Sequence, residues 1–372
     1  MLDNRLVAIL MVLFQMKQVT LYELSVKTGI AKERLLSYLG VIDDLLVSNG
    51  FIQVKQSETL YQILPELENR KEEVFALLQT YDVYLTQEER LDIIYLYTFC
   101  RQDFISSNHY QDLLHVSRNT TLSDLKKFKE IAGAFGVDLA YTRGRGYHLI
   151  GATIDKHRLA LYAISHLLKS SLGHWGLSYI MNAWQSNTHI DGLKQRVTES
   201  KILGGLWPIE ERLEEILYFS DFLVLRSRRS QSSLAIDCQT DSAFMRLAKD
   251  LLVYLAECHL LDARFVEDYQ VYLAQLLQGC FEGGSHQVSP FFQELTEEIV
   301  EEMERLSLVY FENRAQLIAG LEKHLIPAYY RLKSRLPSLN SYTETIKKEH
   351  AHLCTAPLKL DKKNLTLRVL FL

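Results

Sequence analysis

The chain of 372 residues contains 41 Lys and Arg against 46 Asp and Glu, which gives a formal net charge of −5 at pH 7. This balance excludes a uniformly basic nucleic-acid coat protein, although it permits a local basic patch. The five cysteines are scattered and form no CxxC pair, so the sequence supports neither a zinc knuckle nor a disulfide framework. Such cysteine usage is typical of the reducing cytoplasm, and the length predicts about two or three domains.

An apolar run near the N-terminus, residues 6–14, is the first element of the chain. Acidic Asp3 precedes it and no small-residue cleavage site follows, which argues against a signal peptide. No stretch approaches the ~18 uninterrupted apolar residues that a membrane-spanning helix needs. The run therefore predicts a first buried helix, and we expect a cytoplasmic protein that does not bind membranes.

The beginning of the chain predicts the order helix, helix, turn, helix, hairpin. Thr20 and Glu23 have the spacing of a capping box, which opens the second helix, and the third helix follows a turn. Two short strands are expected over residues 51–54 and 60–63. We interpret residues 1–64 as a first winged helix-turn-helix domain.

The same order returns about 80 residues later, and this repeat is the strongest organisational signal in the chain. Thr86 opens the first helix with a second capping box, a short helix is expected over residues 105–114, and Ser117 is the expected N-cap of a longer helix. Two strands are expected on either side of the Arg-Gly-Arg-Gly sequence at residues 143–146. We interpret residues 86–151 as a second winged helix-turn-helix domain.

The remaining sequence is helical in character. A linker helix is expected over residues 65–85, between the two units, and the apolar spacing beyond residue 157 is helical with weak strand signals. We predict two all-α bundles, over residues 155–288 and 290–372. The apolar end of the chain, residues 369–372, predicts that the second bundle is incomplete, because such an end is normally buried. The predicted fold class is mainly α, with two winged helix-turn-helix domains followed by all-α helical bundles.

The long helix of the second unit carries side chains suited to reading DNA. Arginine pairs with guanine edges and asparagine with adenine edges, while flanking basic groups hold phosphates. Between His115 and Leu149, six basic and three acidic residues leave a local net charge of +3. The residues predicted to bind DNA in this unit are Ser117, Arg118, Asn119, Thr120, Thr121, Ser123, Lys126, Lys127, Arg143 and Arg145.

The first unit gives a weaker signal for DNA. Its third helix offers Lys32, Arg34 and Tyr38 as candidate DNA-binding residues, but three acidic residues on the same helix dilute the charge. Winged helices also serve as protein–protein modules, and surface lysines are commonly only solvated. A protein-interaction scaffold without specific DNA binding is therefore the alternative for both units.

One histidine outside these units, His324, lies at the edge of an apolar helical face formed by Leu321, Leu325 and Ala328. A histidine in such a position is more often a satisfied core residue, and its other use is to accept phosphate on a neutral imidazole nitrogen. The sequence contains no HExxH, GxSxG, Walker-type or GxGxxG motif. We therefore predict no enzyme, no cofactor and no metal site.

The second unit closely resembles the Mga-type helix-turn-helix of bacterial activators similar to the BglG/MtlR regulators. In that group two winged helices precede two phosphotransferase-regulated domains. The resemblance therefore implies a homodimer that binds double-stranded DNA and is controlled by a phosphocarrier protein or enzyme II component of the sugar phosphotransferase system. The group's motif, VSRxTxLxDLKxLK…GYxLxG, is matched at Val116, Ser117, Arg118, Thr120, Leu122, Asp124, Leu125, Lys126, Lys127, Gly146, Tyr147, Leu149 and Gly151.

Residues 317–350 look like the opening of the second regulatory domain, in which a histidine before L-x-P-A-x-x-R-L is the usual phosphoacceptor. His324 occupies that place, so the resemblance implies its phosphorylation and favours this role over the core one. Asp250 falls where the first regulatory domain commonly has a phosphorylated histidine, so this sequence departs from the family pattern at that position. The family usually continues further, so we expect a truncated product or a reading-frame change near the end. The expected function is activation of a carbohydrate-utilisation operon.

Overall fold

The computed structural model is mainly helical, as predicted, and helices make up 72% of the residues that it describes. Sixteen helices and seven short strands lie in the part of the chain that it describes. The chain divides into two compact units, Met1–Gly151 with Ala163–Thr188, and Ala152–Tyr162 with His189–Leu372. The described residues are 4–28, 30–57, 60–79, 85–170, 172–200, 204–228, 242–283, 290–308 and 310–333.

The first unit begins with an α/β segment of six elements. Its three strands form an antiparallel sheet of order β1-β3-β2. The first helix buries residues 6–14 on nearly all sides, because its apolar residues are continuous. The predicted capping box is formed: Glu23 N donates to Thr20 Oγ1 at 3.2 Å and Thr20 N donates to Glu23 Oε2 at 2.8 Å. The elements are α1 (Asn4–Met16), β1 (Gln18–Thr20), α2 (Leu21–Thr28), α3 (Lys32–Ser48), β2 (Lys55–Ser57) and β3 (Leu60–Gln62).

The strand predicted over residues 51–54 is wrong, since β2 covers Lys55–Ser57 instead. The backbone of residues 51–54 directs two N–H groups to α3: Phe51 N donates to Leu46 O at 2.9 Å, and Val54 N donates to Asp43 Oδ1 at 2.9 Å. Phe51 N satisfies a carbonyl at the end of α3 and Val54 N is bound by a side chain of α3, so neither N–H is available to pair with a neighbouring strand. Strand β1, which pairs with β3, was not predicted from the sequence.

The predicted linker helix is two helices within the described residues, α4 (Pro65–Glu68) and α5 (Lys71–Gln79). Proline at the first helical position of α4 suits a helix start, because its missing N–H would have no partner there. The rest of the predicted linker up to residue 84 lies outside the described residues.

The second α/β segment repeats the three helices and the hairpin of the first, but its described residues contain no strand equivalent to β1. Its capping box is formed, with Glu89 N donating to Thr86 Oγ1 at 3.3 Å and Thr86 N donating to Glu89 Oε2 at 2.9 Å. The short helix begins two residues later than predicted, because Ile105 pairs with Gly146 in an isolated β-bridge. The elements are α6 (Gln87–Phe99), α7 (Ser107–Leu114), α8 (Arg118–Ala134), β4 (Asp138–Thr142) and β5 (Gly146–Ile150).

The first unit is completed by the end of α9 (Thr153–Lys169) and by α10 (Gly173–Ala183). The indole of Trp184 stacks on Tyr97 at a centroid distance of 4.5 Å, and its Nε1 donates to Tyr97 O at 3.0 Å. Tyr179 Oη donates to Leu113 O at 2.7 Å. Residues 163–188 thus cluster with the first unit, whereas the sequence places them in a domain over 155–288.

The second unit is helical apart from one small sheet. Antiparallel strands β6 (Leu206–Pro208) and β7 (Phe281–Gly283) correct the prediction of an all-α region. Gly283, at φ +83°, lies so close to Trp207 that a Cβ would be 2.9 Å from the indole Cδ1. The helices are α11 (Ile190–Glu199), α12 (Glu210–Ser227), α13 (Ser242–His259), α14 (Ala263–Gln278), α15 (Pro290–Ser307) and α16 (Arg314–Lys333), together with the start of α9.

Among the described residues, no helix combines the length and the apolar character that crossing a bilayer requires. The predictions about the apolar end of the chain and the completeness of the second bundle concern residues 334–372, which lie outside the described residues.

Candidate nucleic-acid interface

Helix α8 is fixed to α6 by a buried ion pair. Arg90 Nε donates to Asp124 Oδ2 at 2.7 Å, and Arg90 Nη2 donates to Oδ1 at 3.2 Å. Gln87 Nε2 donates to the same Oδ1 at 3.0 Å, and Arg90 Nη1 donates to Leu85 O at 2.8 Å. Asp124 is fully buried. This pairing holds one face of α8 inward and so determines which residues face outward.

The N-terminus of α8 is capped as predicted, because Thr120 N donates to Ser117 Oγ at 3.2 Å. The hydroxyls of Ser117 and Thr120 lie 3.0 Å apart and share a hydrogen bond, so both shape the helix start. Thr121 is fully buried, and its hydroxyl donates to Ser117 O at 3.1 Å. The prediction that Thr121 contacts DNA is therefore wrong: at helical spacing it falls on the same inward face as Asp124.

The outward face of α8 carries the other predicted residues. Asn119, Ser123 and Lys126 are exposed and recur at intervals of three and four residues, opposite the buried stripe. Arg118 and Lys127 are exposed on either side of them. All six basic residues between His115 and Leu149 are exposed, whereas only two of the three acidic residues are. The exposed charge of this segment is thus +4, because Asp124 is neutralised internally by Arg90.

The hairpin that follows α8 adds the last two predicted residues, Arg143 and Arg145, which are exposed at the turn between β4 and β5. Two hydrogen bonds hold the turn to the body of the segment. Arg101 Nη1 donates to Arg145 O at 2.6 Å, and Tyr147 N donates to Ile105 O at 2.8 Å. Gly146 adopts φ +66°, and a Cβ there would be 2.2 Å from Ile105 O, so glycine is required.

An aromatic cluster lies beneath this hairpin. Tyr147 packs against Tyr110 and Tyr141 at centroid distances of 5.5 and 5.0 Å. Tyr110 is fully buried and its hydroxyl lies 2.6 Å from Thr98 Oγ1. Burial raises the pKa of Tyr110 and, to a smaller degree, that of Tyr147, so both rings are neutral at physiological pH. Tyr141 is exposed on the outer side.

The candidates of the first α/β segment are less free to bind a ligand. Lys32 and Arg34 are exposed at the start of α3, with Lys32 Nζ 4.9 Å from the ring centre of Tyr22. The hydroxyl of Tyr38 accepts a hydrogen bond from Arg5 Nη1 at 2.8 Å. Of the acidic residues that dilute the charge, Asp43 is engaged with Val54 N, and burial raises its pKa.

His324 lies on α16 with 78% of its side chain exposed, so the alternative of a satisfied core histidine is wrong. Its neighbour Leu325 is buried, in a cluster with Phe292, Leu295 and Ile299 from α15. His324 Nδ1 is 3.7 Å from Glu282 Oε2 on β7. Asp250, the other residue singled out in the regulatory region, forms an ion pair of 3.0 Å with Arg196.

Comparisons with models of known protein families and with curated proteins find no match for this chain. Sequence reasoning missed Arg90 and Arg101, which fix α8 and the hairpin from 34 and 44 residues away. No local signal identifies such partners, since their spacing matches no helical or strand period.

Proposed function

We propose that this protein is a DNA-binding transcription regulator, an activator of a carbohydrate-utilisation operon. In this proposal both α/β segments of the first unit are winged helices, and the second reads double-stranded DNA. The observation that carries the proposal is the outward face of α8, where Arg118, Asn119, Ser123 and Lys126 are exposed beside the arginines of the hairpin. A capped helix with basic and amide side chains in its first turns has the chemistry to read base edges in the major groove.

The role proposed for each residue follows from where its side chain is exposed. Arg118 and Asn119 stand at the helix N-terminus, which is the part of a recognition helix that reaches bases. Lys126, Lys127 and the hairpin arginines hold phosphates and fix the register without reading sequence. The first segment adds a weaker contact through Lys32 and Arg34. A homodimer would double this small readout and make the spacing of half-sites part of specificity.

Regulation is assigned to the second unit. His324 is accessible to a phosphocarrier protein or enzyme II component of the sugar phosphotransferase system. Phosphate on its imidazole would add nearly two negative charges close to Glu282, and that repulsion would change how α16 packs against its neighbours. The proposal therefore predicts that phosphorylation shifts the dimer equilibrium and, through it, the affinity for DNA.

The first experiment is a mobility shift with the DNA upstream of the protein's own operon, measured over a range of salt concentrations. Specific binding should weaken steeply with salt, because phosphate contacts release counterions. Arg118→Ala should cost about 1–3 kcal/mol in specific binding, whereas Lys127→Ala should weaken all sequences alike and reduce the salt slope by about 1. Arg246→Ala, an exposed arginine of α13, is the matched control and should leave binding unchanged. Binding no tighter than to random DNA, for the intact chain and for a forced dimer of residues 1–151, would refute the proposal.

A second candidate, docking of another protein, is favoured by one observation. Leu122 on α8, and Tyr141 and Ile150 on the hairpin, are about half exposed in the same segment. Large exposed apolar side chains of this kind mark interaction surfaces when they are contiguous. Leu122→Ser separates the two functions, because it should abolish protein docking while changing DNA affinity less than Arg118→Ala does.

Regulation has its own test. Incubation with the phosphorylated phosphocarrier protein should place acid-labile phosphate on the wild type but not on His324→Ala. The matched control is His115→Asn, which replaces an exposed histidine of the first unit. This variant should still be phosphorylated at His324. Equal labelling of His324→Ala and wild type would exclude His324 as the phosphoacceptor.

A further inference from the structure

Three helices of the second unit bring two imidazoles and a carboxylate to one place. His189 immediately precedes α11, Asp221 lies in the middle of α12, and His259 is the last residue of α13. One ligand atom from each lies within 4.8 Å of the others. His189 and Asp221 are 32 positions apart in the chain, and Asp221 and His259 are 38 apart, so no short sequence motif identifies the cluster.

Two of the three ligand–ligand distances within this cluster fit a small metal ion. His259 Nε2 and His189 Nδ1 are 3.2 Å apart, and His189 Nδ1 and Asp221 Oδ1 are 3.4 Å apart. Ligand atoms about 2.0–2.1 Å from a tetrahedral ion are separated by about 3.3–3.4 Å. These two distances therefore have the length that a zinc-type ion imposes on neighbouring ligand atoms.

Hydrogen bonding alone leaves the cluster unsatisfied. Arg228 Nη2 donates to His259 Nδ1 at 2.7 Å, so a neutral His259 carries its proton on Nε2 and donates it to His189 Nδ1. His189 Nδ1 is then an acceptor and has no proton for Asp221 Oδ1. Asp221 is fully buried, and its Oδ1 has no hydrogen-bond partner among the described residues. A buried carboxylate oxygen of this kind is costly unless a cation or a donor meets it.

The cluster is also held in position before any ion arrives. His189 N donates to Asp221 Oδ2 at 2.8 Å, which orients the carboxylate and leaves Oδ1 directed at the imidazole. The His189 and His259 rings meet edge to face at a centroid distance of 4.5 Å, and Tyr254 packs against His189. Partners that orient ligands in this way are a usual part of metal sites. His189 and His259 are partly exposed, which leaves a path from solvent.

We propose that His189, Asp221 and His259 form a binding site for a divalent transition-metal ion of the zinc type, with water completing the coordination. Two imidazole nitrogens and one carboxylate oxygen are a donor set that such ions accept with three protein ligands. The ion would tie α11, α12 and α13 together at one point. This site is independent of the proposed DNA binding and goes beyond it.

The geometry implies that Arg228 competes with the proposed metal ion for His259. A metal on His259 Nε2 requires the imidazole proton on Nδ1, where the guanidinium now donates. Arg228 is exposed at the end of α12, so its side chain can turn into solvent when the ion binds. Removing Arg228 should therefore strengthen metal binding, although it is not a ligand.

The test is a titration of the full chain with Co²⁺ after removal of metals by chelation, followed by displacement with Zn²⁺. The wild type should show one site per chain with visible ligand-field bands that Zn²⁺ abolishes. His259→Gln and Asp221→Asn should lower the affinity at least tenfold, whereas the matched control His115→Asn should retain it. His259 is partly exposed, so His259→Gln tests the ligand without emptying the core, and circular dichroism checks that each variant is folded.

The outcome decides between a metal site and a hydrogen-bonded cluster. Co²⁺ binding that is absent in the folded wild type, or equal in wild type and folded His259→Gln, would overturn the proposal. Arg228→Ala should bind Co²⁺ several-fold more tightly than the wild type. Unchanged affinity in Arg228→Ala would contradict the assignment of His259 Nε2 as a ligand atom.

Discussion

Replacing Asp124 by alanine tests whether the buried ion pair with Arg90 determines the position of α8. The carboxylate accepts three hydrogen bonds, two from Arg90 and one from Gln87, and it is fully buried. Asp124→Ala leaves the guanidinium of Arg90 in the interior with its hydrogen bond to Leu85 O but without the carboxylate that balances its charge. Breaking a buried pair in this way costs about 3–5 kcal/mol, because one charge stays desolvated without its partner.

This cost is a large part of the stability of an ordinary domain, which is about 5–15 kcal/mol. For a unit of this size, 1 kcal/mol corresponds to roughly 2–4 °C in Tm, so the transition of the first unit should fall by roughly 6–20 °C. Hydrogen exchange followed by mass spectrometry gives the local readout, and amides of α6 and α8 should lose protection first. Under the proposed function, DNA affinity should fall as well, because the outward face of α8 is no longer held.

Two comparisons make the result specific to the pair. Glu130→Ala removes the same charge from an exposed position of the same helix and should change stability by less than about 0.5 kcal/mol. The double variant Arg90→Met with Asp124→Leu should recover much of the loss, since apolar replacements of a buried pair are often neutral or stabilising. If Asp124→Ala proves as stable and as protected in α6 and α8 as Glu130→Ala, the reasoning is refuted.

The remaining predictions concern acid stability and the hairpin. His157 is buried against Phe219 and Tyr272, and this burial lowers its pKa from 6.5 to about 3. Because the unfolded chain binds a proton there and the folded chain does not, the contribution of His157 to stability should fall by about 1.4 kcal/mol per pH unit below pH 6.5. His157→Leu should flatten that slope in urea titrations at pH 7, 6 and 5, and an equally steep slope in the variant would exclude His157 as its source. Gly146→Ala should strain the hairpin by about 1–3 kcal/mol at its positive φ, in addition to the contact with Ile105 O. Gly144→Ala, where a Cβ meets nothing within 4 Å, should leave hydrogen exchange in β4 and β5 unchanged, and equal exchange in the two variants would contradict this explanation.

The predictions that the structure confirmed depend on short sequence separations. The capping boxes at Thr20 and Thr86 and the N-cap at Ser117 are hydrogen bonds between residues three apart, so their spacing is visible in the sequence. The repeated element order and the mainly helical composition follow from hydrophobic periodicity. The errors at residues 51–54 and 105 arose where backbone groups found partners outside the predicted pattern, Val54 on α3 and Ile105 at Gly146 of the hairpin.

The candidate DNA-binding surface also combines features that are visible in the sequence with features that depend on packing. The sequence placed Arg118, Asn119 and Lys126 on a capped helix, but it did not tell which residues of that helix turn inward. Thr121 is buried because Asp124, one turn further on, pairs with Arg90 on another helix.

Local sequence spacing was enough to show where helices begin, which segments repeat and where basic residues concentrate, because those properties rest on contacts within one or two helical turns. The tertiary structure alone decided the exposure of His324 and the meeting of His189, Asp221 and His259. These depend on how separate helices pack, and packing is set by the whole buried surface rather than by any local pattern.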